Sequence, residues 1–351
     1  MKRTRVLVVE DSLTVRQRLV ETLSTDPSLE VVGEAEDGRR AIQLCRDLRP
    51  DVITLDMMLP VMTGVEVTEY VMAHFPTPIL IVSASVNRGE LFRTYDALAA
   101  GAVDALEKPN GTEAEGEWER RFFQTVKLVS RIKVIRHIRP RLQGALSAGE
   151  SLEAPAPKGR KLIALGASTG GPAALLEVLR AIPAPSALPM LLVLHIAEAF
   201  AAAFADWLDG QTPHRVRYAR DGEPLHAVGA GVVMAPATSH LEVRDGRLLL
   251  SDAPPRHSCR PSVDVLFESL AREYGSGCAA ALLTGMGRDG AAGLLEVRRA
   301  GGFTIAQDEA TSVVYGMPRE AALLGAVERV LPLSQIGPTL ARLSPGKGSS
   351  P

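Results

Sequence analysis

The sequence predicts an α/β protein of two domains, each built on a doubly wound parallel sheet. In both halves, short β-branched apolar runs alternate with amphipathic segments of helical period. The 351 residues are enough for two domains, and a stretch rich in Ala, Pro, Ser and Gly at 144–159 separates the halves. We therefore predict a first domain at 4–125, a helical and flexible linker at 126–160, a second domain at 161–343 and a disordered tail at 344–351.

Composition and charge argue against several classes of function. Hydrophobic residues make up 46% of the chain and charged residues 23%, which is typical of a soluble globular protein. The formal net charge of −2 provides no field that would attract nucleic acid, so a nucleic-acid partner is not indicated. Cys45, Cys259 and Cys278 are odd in number and lack metal-ligand spacing. This pattern predicts reduced, mostly buried thiols, with neither a disulfide framework nor a zinc site.

The sequence predicts no targeting or membrane-spanning segment. The N-terminal apolar run ends at Val9, before two acidic residues, and is too short for a signal peptide. The longest apolar region, 188–205, is interrupted by His195 and Glu198, which argues against a membrane span. We therefore expect a cytoplasmic protein without membrane insertion.

Reactive side chains follow four of the five strands predicted in the first half. The predicted strands are 5–9, 30–34, 52–55, 79–82 and 102–106. Glu10 and Asp11 follow the first strand, Asp56 the third, Ser83 the fourth and Lys108 the fifth. Singly, such residues are commonly solvated loop residues. Because the carboxyl ends of parallel strands meet at one edge, we expect these five to lie together.

This set of side chains indicates phosphoryl chemistry. Three crowded carboxylates repel one another, and a hard cation such as Mg²⁺, which prefers oxygen ligands and keeps several waters, relieves that repulsion. A bound Mg²⁺ leaves room for a phosphoryl group. Asp56 would then be a nucleophile toward phosphorus, with Lys108 pairing the phosphoryl oxygens and the Ser83 hydroxyl donating to one of them.

At this point the first half resembles the response-regulator receiver domain, over roughly 4–125. The most specific matches are the run Asp56-Met57-Met58-Leu59-Pro60 through Gly64, and Lys108-Pro109. The resemblance implies a flavodoxin-like fold and a histidine kinase of the chemotaxis type as phosphoryl donor.

The same resemblance assigns roles to individual residues. It implies that Asp56 is the phosphorylated aspartate, that Glu10 and Asp11 hold the metal with it, and that Met58 contributes a backbone carbonyl. One position departs from the family: Ala105 stands three residues before Lys108, where an aromatic switch residue is usual. An aromatic rotamer at that position therefore cannot be part of the switch.

The connector between the halves begins with a helical pattern at 118–146. Its apolar stripe consists of Phe122, Val126, Val129, Ile132 and Ile135. The basic residues that follow fit either a solvated face or a contact with an anionic partner.

The second half opens with a serine in a glycine-rich turn. A short strand at 162–165 breaks into Gly166-Ala167-Ser168-Thr169-Gly170-Gly171-Pro172 and then into a helix at 173–179. The spacing Gly166-x-Ser168-x-Gly170 is that of a nucleophile elbow, which presents a serine at the end of a strand. The spacing also fits a turn that binds a phosphate or merely joins strand to helix.

A histidine and an aspartate follow two further predicted strands. The strand at 189–194 ends at His195, and the strand at 279–283 runs into a glycine-rich turn that contains Asp289. Convergence with Ser168 on one sheet edge would provide a nucleophile, a base and an orienting carboxylate. The other histidines of this half, His214, His226, His240 and His257, lie in polar or loop-like contexts. Asp289 is favoured over Asp221 in a charged loop and Asp308 in a polar run.

Chain order separates this half from the α/β-hydrolases, whose order is Ser, Asp, His. Here the order is Ser168, His195, Asp289, and the region from Lys161 to Leu331 resembles the catalytic domain of the CheB family of chemotaxis protein-glutamate methylesterases. The matching motifs are the serine turn, Arg260-Pro261-Ser262-Val263-Asp264-Val265-Leu266-Phe267, Leu283-Thr284-Gly285-Met286-Gly287 with Asp289-Gly290, and Gly316-Met317-Pro318. With a receiver in front, the match covers both domains in the family's order.

The resemblance implies hydrolysis of γ-glutamyl methyl esters on chemoreceptors, and often deamidation of glutamines there. It implies that Thr169 and Met286 line the oxyanion site and that the catalytic domain needs no cofactor. It also implies that the resting receiver covers the Ser168 cleft until Asp56 is phosphorylated.

Two departures bear on substrate choice. Ile196-Ala197 follow the histidine where the family commonly has Met-Pro, and Arg288 precedes the aspartate where Asn is common. Two alternatives stay open: a receiver-controlled hydrolase that acts on a non-receptor substrate, and a non-catalytic protein whose glycine-rich site only binds partners.

Overall fold

The computed structural model describes residues 2–84, 87–109, 114, 116–132, 134, 159–186 and 188–343. The chain divides into two compact units, residues 1–143 and 144–351. Each unit holds a parallel sheet with intervening helices, which confirms the predicted α/β class. Within the described residues, no helix is both long and apolar enough to cross a membrane.

The first unit contains a five-stranded parallel sheet with strand order β2-β1-β3-β4-β5. Its strands are β1 (Thr4–Val9), β2 (Leu29–Ala35), β3 (Val52–Leu55), β4 (Ile79–Ser83) and β5 (Asp104–Glu107). Its helices are α1 (Leu13–Ser24), α2 (Gly38–Leu48), α3 (Gly64–His74), α4 (Arg88–Ala99) and α5 (Glu117–Val129). This is the flavodoxin-like order, which changes direction between β1 and β3 and leaves a crevice at their carboxyl ends.

Several boundaries in this unit differ by one or more residues from the sequence-based expectation, and three of them matter for the site or the linker. Strand β5 begins at Asp104 and not at 102, because the Ala102 N–H turns back to the Ala97 carbonyl. Ser83 is the last residue of β4 and does not follow the strand. Helix α5 ends at Val129, short of the predicted 146. Residues 133 and 135–158 of the predicted linker and the predicted tail at 344–351 lie outside the described residues.

The second unit contains a seven-stranded sheet with strand order β14-β13-β12-β6-β7-β9-β8, in which each neighbouring pair is parallel. Its strands are β6 (Leu162–Ala167), β7 (Met190–Leu194), β8 (Val216–Tyr218), β9 (Val232–Met234), β12 (Cys278–Leu282), β13 (Phe303–Gln307) and β14 (Arg329–Leu331). A separate antiparallel pair consists of β10 (His240–Arg244) and β11 (Arg247–Ser251). The helices are α6 (Gly171–Ala181), α7 (Glu198–Ala201), α8 (Phe204–Gln211), α9 (Val263–Tyr274), α10 (Ala291–Arg299), α11 (Met317–Leu323) and α12 (Leu333–Ala341).

Strand β6 lies in the middle of this sheet, between β12 and β7, and is two residues longer than predicted. Gly166 and Ala167 belong to the strand because they pair with Val193 and Leu194 of β7. Strands β7 to β9 lie on one side of β6 and strands β12 to β14 on the other, so the direction of winding changes there. The carboxyl end of β6 is therefore the position at which open α/β sheets bind ligands, and Ser168 is the next residue after it.

Candidate functional site

The acidic residues predicted to meet in the first unit do so at the carboxyl ends of β1 and β3. Carboxylate oxygens of Glu10, Asp11 and Asp56 lie within 4.8 Å of one another. Glu10 and Asp56 are buried, whereas Asp11 is exposed. The Lys108 Nζ lies 2.8 Å from Glu10 Oε2 and 3.1 Å from Asp56 Oδ1. The structure thus brings four of the five predicted side chains together.

This cluster carries more negative charge than Lys108 can balance. Burial, reinforced by the Asp56 charge, raises the pKa of Glu10 to about 7 although Lys108 opposes the shift. Burial also raises the pKa of Asp56 against the same opposition. Burial alone would lower the Lys108 pKa, yet the carboxylates of Asp56 and Glu10 raise it. A divalent cation would relieve this imbalance.

The donor set of the cluster fits Mg²⁺. All three candidate ligands are carboxylates, the hard oxygen donors that Mg²⁺ prefers. Apart from their ion pairs with Lys108, the buried oxygens Glu10 Oε2 and Asp56 Oδ1 lack a well-formed hydrogen bond among the described residues. Because a single ammonium group faces both carboxylates, their remaining acceptor capacity suits a cation. Met58, whose backbone carbonyl is the remaining expected ligand, lies in the loop after β3.

Ser83 differs from the expectation in its hydrogen bond. Its buried hydroxyl donates to Glu90 Oε1 at 2.7 Å, and the Ala84 N–H donates to the same oxygen at 3.1 Å. The hydrogen that we expected to reach a phosphoryl group is therefore given to Glu90 in this structure. Sequence reasoning missed Glu90, a buried acid in the first turn of α4. The only signal was a glutamate three residues after the helix-capping Asn87.

In the second unit, strand pairing places Ser168 beside His195. Ala167 and Leu194 are partners across the β6–β7 ladder, so the residues that follow them leave neighbouring strands side by side. The backbone N–H of His195 donates to the Ala167 carbonyl at 3.0 Å, and the backbone N–H of Ser168 donates to the Thr284 carbonyl at 3.0 Å. Both residues are partly exposed. The predicted convergence of these two residues is observed.

Close approach of the β12 loop to the serine turn requires glycine at position 285. A Cβ atom there would lie 2.7 Å from the Ser168 Cβ and 2.3 Å from the Met317 Sδ. Any larger residue would displace the serine turn or helix α11. The loop then continues through Met286 to Asp289, which brings the aspartate to the same sheet edge.

Asp289 is buried and accepts hydrogen bonds from four groups. His195 Nε2 donates to its Oδ2 at 2.9 Å, and the Ser262 hydroxyl donates to its Oδ1 at 2.6 Å. The N–H groups of Val263 and Asp264, which begin helix α9, donate at 2.7 and 3.2 Å. Burial alone would raise the pKa of Asp289, but the hydrogen bonds from His195 and Ser262 outweigh it and lower that pKa. Asp289 is therefore an ionised acceptor that fixes one nitrogen of His195.

His195 is held in a position that favours its protonated form. Burial would lower its pKa, but the hydrogen bond to Asp289 and the contact with Cys259 outweigh burial and raise the pKa from 6.5 to about 9. Its second nitrogen, Nδ1, lies 3.7 Å from Cys259 Sγ. In the part of the chain that the structure describes, the Ser168 hydroxyl forms no hydrogen bond with His195. Such bonds are often long in unliganded enzymes and tighten when substrate binds.

Two backbone N–H groups beside Ser168 are free to stabilise an oxyanion. Thr169 directly follows the serine, and Met286 follows Gly285, which abuts it. Neither N–H donates to another described residue. The Met286 side chain is half exposed at the rim. This placement agrees with the expectation for both residues, although their role remains a prediction.

His240 and His214 are both buried and hydrogen-bonded. His240 is the first residue of strand β10 and not in a loop, whereas His214 lies in the loop between α8 and β8, as expected. His240 Nδ1 accepts the Ser262 N–H at 3.1 Å and so supports the serine that holds Asp289. His214 Nε2 donates within reach of the Leu179 and Ile182 carbonyls. The motif around Ser262 was noticed, but its contact with Asp289 depends on tertiary packing that no spacing rule reveals.

The departures from the family pattern lie at the rim of the site. Arg288 Nε donates to His257 Nδ1 at 3.2 Å. An open cleft of about 530 Å³ is lined by His257, Ser258, Gly287, Arg288 and Glu320. Ala197 is exposed immediately before α7. These positions leave the Ser168, His195 and Asp289 contacts unaltered and shape the surface around them.

Comparison with known proteins gives one result for both halves. The sequence pattern of the CheB methylesterase family matches residues 163–340, and that of the response regulator receiver domain matches residues 6–114. A protein-glutamate methylesterase/protein-glutamine glutaminase 2 of Anaeromyxobacter dehalogenans is 45% identical, over 97% of each chain. A protein-glutamate methylesterase/protein-glutamine glutaminase of Nitrosospira multiformis is 42% identical, over 98% of each.

One solved structure supports the fold of the second unit. The crystal structure of the Thermotoga maritima CheB methylesterase catalytic domain is similar to 52% of this chain and to 98% of that chain. The sequence identity is 34% and the TM-score is 0.50.

The geometry predicts the titration of His195. By NMR, we expect its ring protons to titrate with a pKa of about 9, and Asp289→Asn to lower that pKa. The reason is that burial persists while the negative partner is lost. Asp245→Asn, in the exposed β10–β11 turn, is the matched control and should leave the titration unchanged. An unshifted pKa in Asp289→Asn would contradict the pairing.

Proposed function

This chain belongs to the CheB methylesterase family, and we propose that it removes methyl esters from glutamate side chains of chemoreceptors, and deamidates glutamines there, under the control of its receiver domain. The observation that carries the proposal is the arrangement of Ser168 and His195 on adjacent strand ends, with Asp289 holding the histidine. Sheet-edge convergence of these three groups supports acyl transfer. The sequence similarity to methylesterases over nearly the whole chain supports the substrate class.

Each residue of the serine site has a separate role in acyl transfer. The Ser168 hydroxyl attacks the ester carbonyl and transfers its proton to His195 Nδ1, since Nε2 is engaged by Asp289. The N–H groups of Thr169 and Met286 stabilise the oxyanion. Protonated His195 then donates this proton to the departing methoxide oxygen, which leaves as methanol, or to the departing amide nitrogen of a glutamine, which leaves as ammonia. A water activated by the same base then releases the acyl group. Because the His195 pKa is about 9, the base form is generated as the pH rises toward that value.

The receiver supplies the phosphorylation site. Asp56 is the nucleophile toward the phosphoryl group, and Lys108, already within ion-pair distance, balances the added charge. Glu10, Asp11 and Asp56 would hold Mg²⁺, with the Met58 carbonyl as a further ligand. When bound, Mg²⁺ neutralises the carboxylates and polarises phosphoryl oxygens. A histidine kinase of the chemotaxis type is the proposed donor.

Replacement of the nucleophile should abolish hydrolysis without unfolding the chain. Ser168→Ala removes one atom from a turn and no core volume, and loss of such a group costs roughly 10⁴ to 10⁶ in turnover. The measurement is methanol release from methyl-labelled receptors, with a small ester as second substrate. Ser276→Ala, an exposed serine just before β12, is the control. Near wild-type turnover in Ser168→Ala would refute the serine mechanism, and activity on the small ester alone would favour the non-receptor hydrolase.

The acidic cluster predicts metal-dependent phosphorylation. With a small-molecule phosphoryl donor, we expect labelling of the full-length protein in Mg²⁺ and none in excess chelator, because the carboxylates otherwise repel the phosphoryl group. Asp56→Asn should not be labelled, whereas Asp47→Asn, on an exposed face of α2, should be labelled normally. Equal labelling with and without chelator would show that the cluster is not a metal site.

A further prediction concerns control of the serine site by the receiver. If the resting receiver occludes the Ser168 cleft, a chain that begins near Lys158 should hydrolyse ester faster than the unphosphorylated full-length protein. Phosphorylation should close most of that difference. Tenfold suppression corresponds to only about 1.4 kcal/mol, which a modest interdomain surface provides. The measurement compares the esterase rates of these three species, and a short chain no faster than the resting protein would overturn occlusion.

A further inference from the structure

The serine site contains a second nucleophilic group. Cys259 Sγ lies 3.7 Å from Nδ1 of His195, and Asp289 accepts from Nε2 of the same ring. The imidazole ring of His195 therefore lies between a thiol, on its Nδ1 side, and a carboxylate, on its Nε2 side. This is the order of groups that activates a cysteine in thiol-dependent enzymes, where an adjacent imidazolium stabilises the thiolate.

Cys259 is also the accessible thiol of the chain. Its side chain is partly exposed, whereas Cys45 and Cys278 are buried. Its other contact is with the His257 carbonyl oxygen, 3.5 Å from Sγ.

We propose that Cys259 is a modification site: a reactive thiol through which peroxides and alkylating electrophiles switch off the serine site. The part of this inference that concerns hydrolysis rests on the proposed function. The reactivity of the thiol does not, because it depends only on the contact of Cys259 with His195.

The oxidation step balances with a peroxide as co-reactant. With the His195 ring in its base form, the Cys259 thiol gives its proton to His195 Nδ1, and the sulfur attacks one peroxide oxygen. An S–O bond forms while the O–O bond breaks, and the departing hydroxide takes the proton from His195 and leaves as water. The sulfur is oxidised by two electrons to a sulfenic acid, and the peroxide is reduced by two.

Modification would inhibit hydrolysis because Ser168 and Cys259 need the same nitrogen. Nε2 is occupied by Asp289, so Nδ1 is the position at which the serine proton must be received. An added oxygen or alkyl group on Sγ, 3.7 Å away, would occupy the space beside Nδ1. The serine would then lose access to its base while the strand ends stay in place.

The first experiment measures thiol reactivity alone. Full-length protein is treated with iodoacetamide at neutral pH, and the labelled peptides are quantified by mass spectrometry over time. We expect Cys259 to react at least about tenfold faster than Cys45 and Cys278, which serve as internal controls, and His195→Gln to slow the reaction at Cys259. A Cys259 rate that matches the buried thiols, or that is unaffected in a folded His195→Gln protein, would overturn the proposal.

The second experiment measures the effect on hydrolysis. Hydrogen peroxide should reduce the wild-type esterase rate about tenfold or more, and dithiothreitol should restore it, which a methionine sulfoxide would not allow. Cys259→Ser, compared with its own untreated rate, should keep most of its activity. Equal loss in Cys259→Ser would refute the switch. Absence of esterase activity in untreated protein would refute the proposed function, while the labelling experiment would still decide whether the thiol is activated.

Discussion

The buried carboxylate of Asp289 is the interaction on which the geometry of the serine site depends. It accepts from the first two N–H groups of helix α9, from the Ser262 hydroxyl and from His195. Hydrogen bonds to a charged group contribute about 1.5–3 kcal/mol each, and a helix N-terminus favours negative charge. One side chain thereby connects the β12 loop, helix α9 and the strand end of β7. The hydrogen bond between Asp289 and His195 raises the pKa of the histidine, so His195 must lose a proton before it can act as a base.

In both units the candidate site lies at the strand ends where the winding direction of the parallel sheet changes. In the first unit, the acidic cluster lies where the sheet changes direction between β1 and β3. In the second unit, Ser168 follows β6, whose neighbours β12 and β7 lie far apart along the chain. Parallel strands that end at one edge bring together residues that are distant in sequence. This explains why short apolar runs followed by polar residues were enough to locate both sites.

Residues that follow strands could be predicted from the sequence, whereas residues that reach the site from helix ends could not. Ser168, His195, Asp289 and Asp56 could be predicted because each follows a buried strand, and a strand end has a recognisable pattern. Ser262 and Glu90 could not, because each reaches its partner from a helix terminus whose docking depends on tertiary packing. For Cys259, the sequence predicts only a reduced thiol without a disulfide partner. Its position beside His195 depends on how the loop before α9 folds, which local spacing does not determine.

The hydrogen bond between Ser83 and Glu90 joins two buried polar side chains at the carboxyl end of β4. A hydroxyl has a single hydrogen to donate, so a phosphoryl oxygen that takes it leaves the buried Glu90 carboxylate with only the Ala84 N–H. An acceptor that loses a donor inside a protein is costly. In a chain with Ala105 where an aromatic switch residue is usual, this hydrogen bond links the last residue of β4 to the first turn of helix α4.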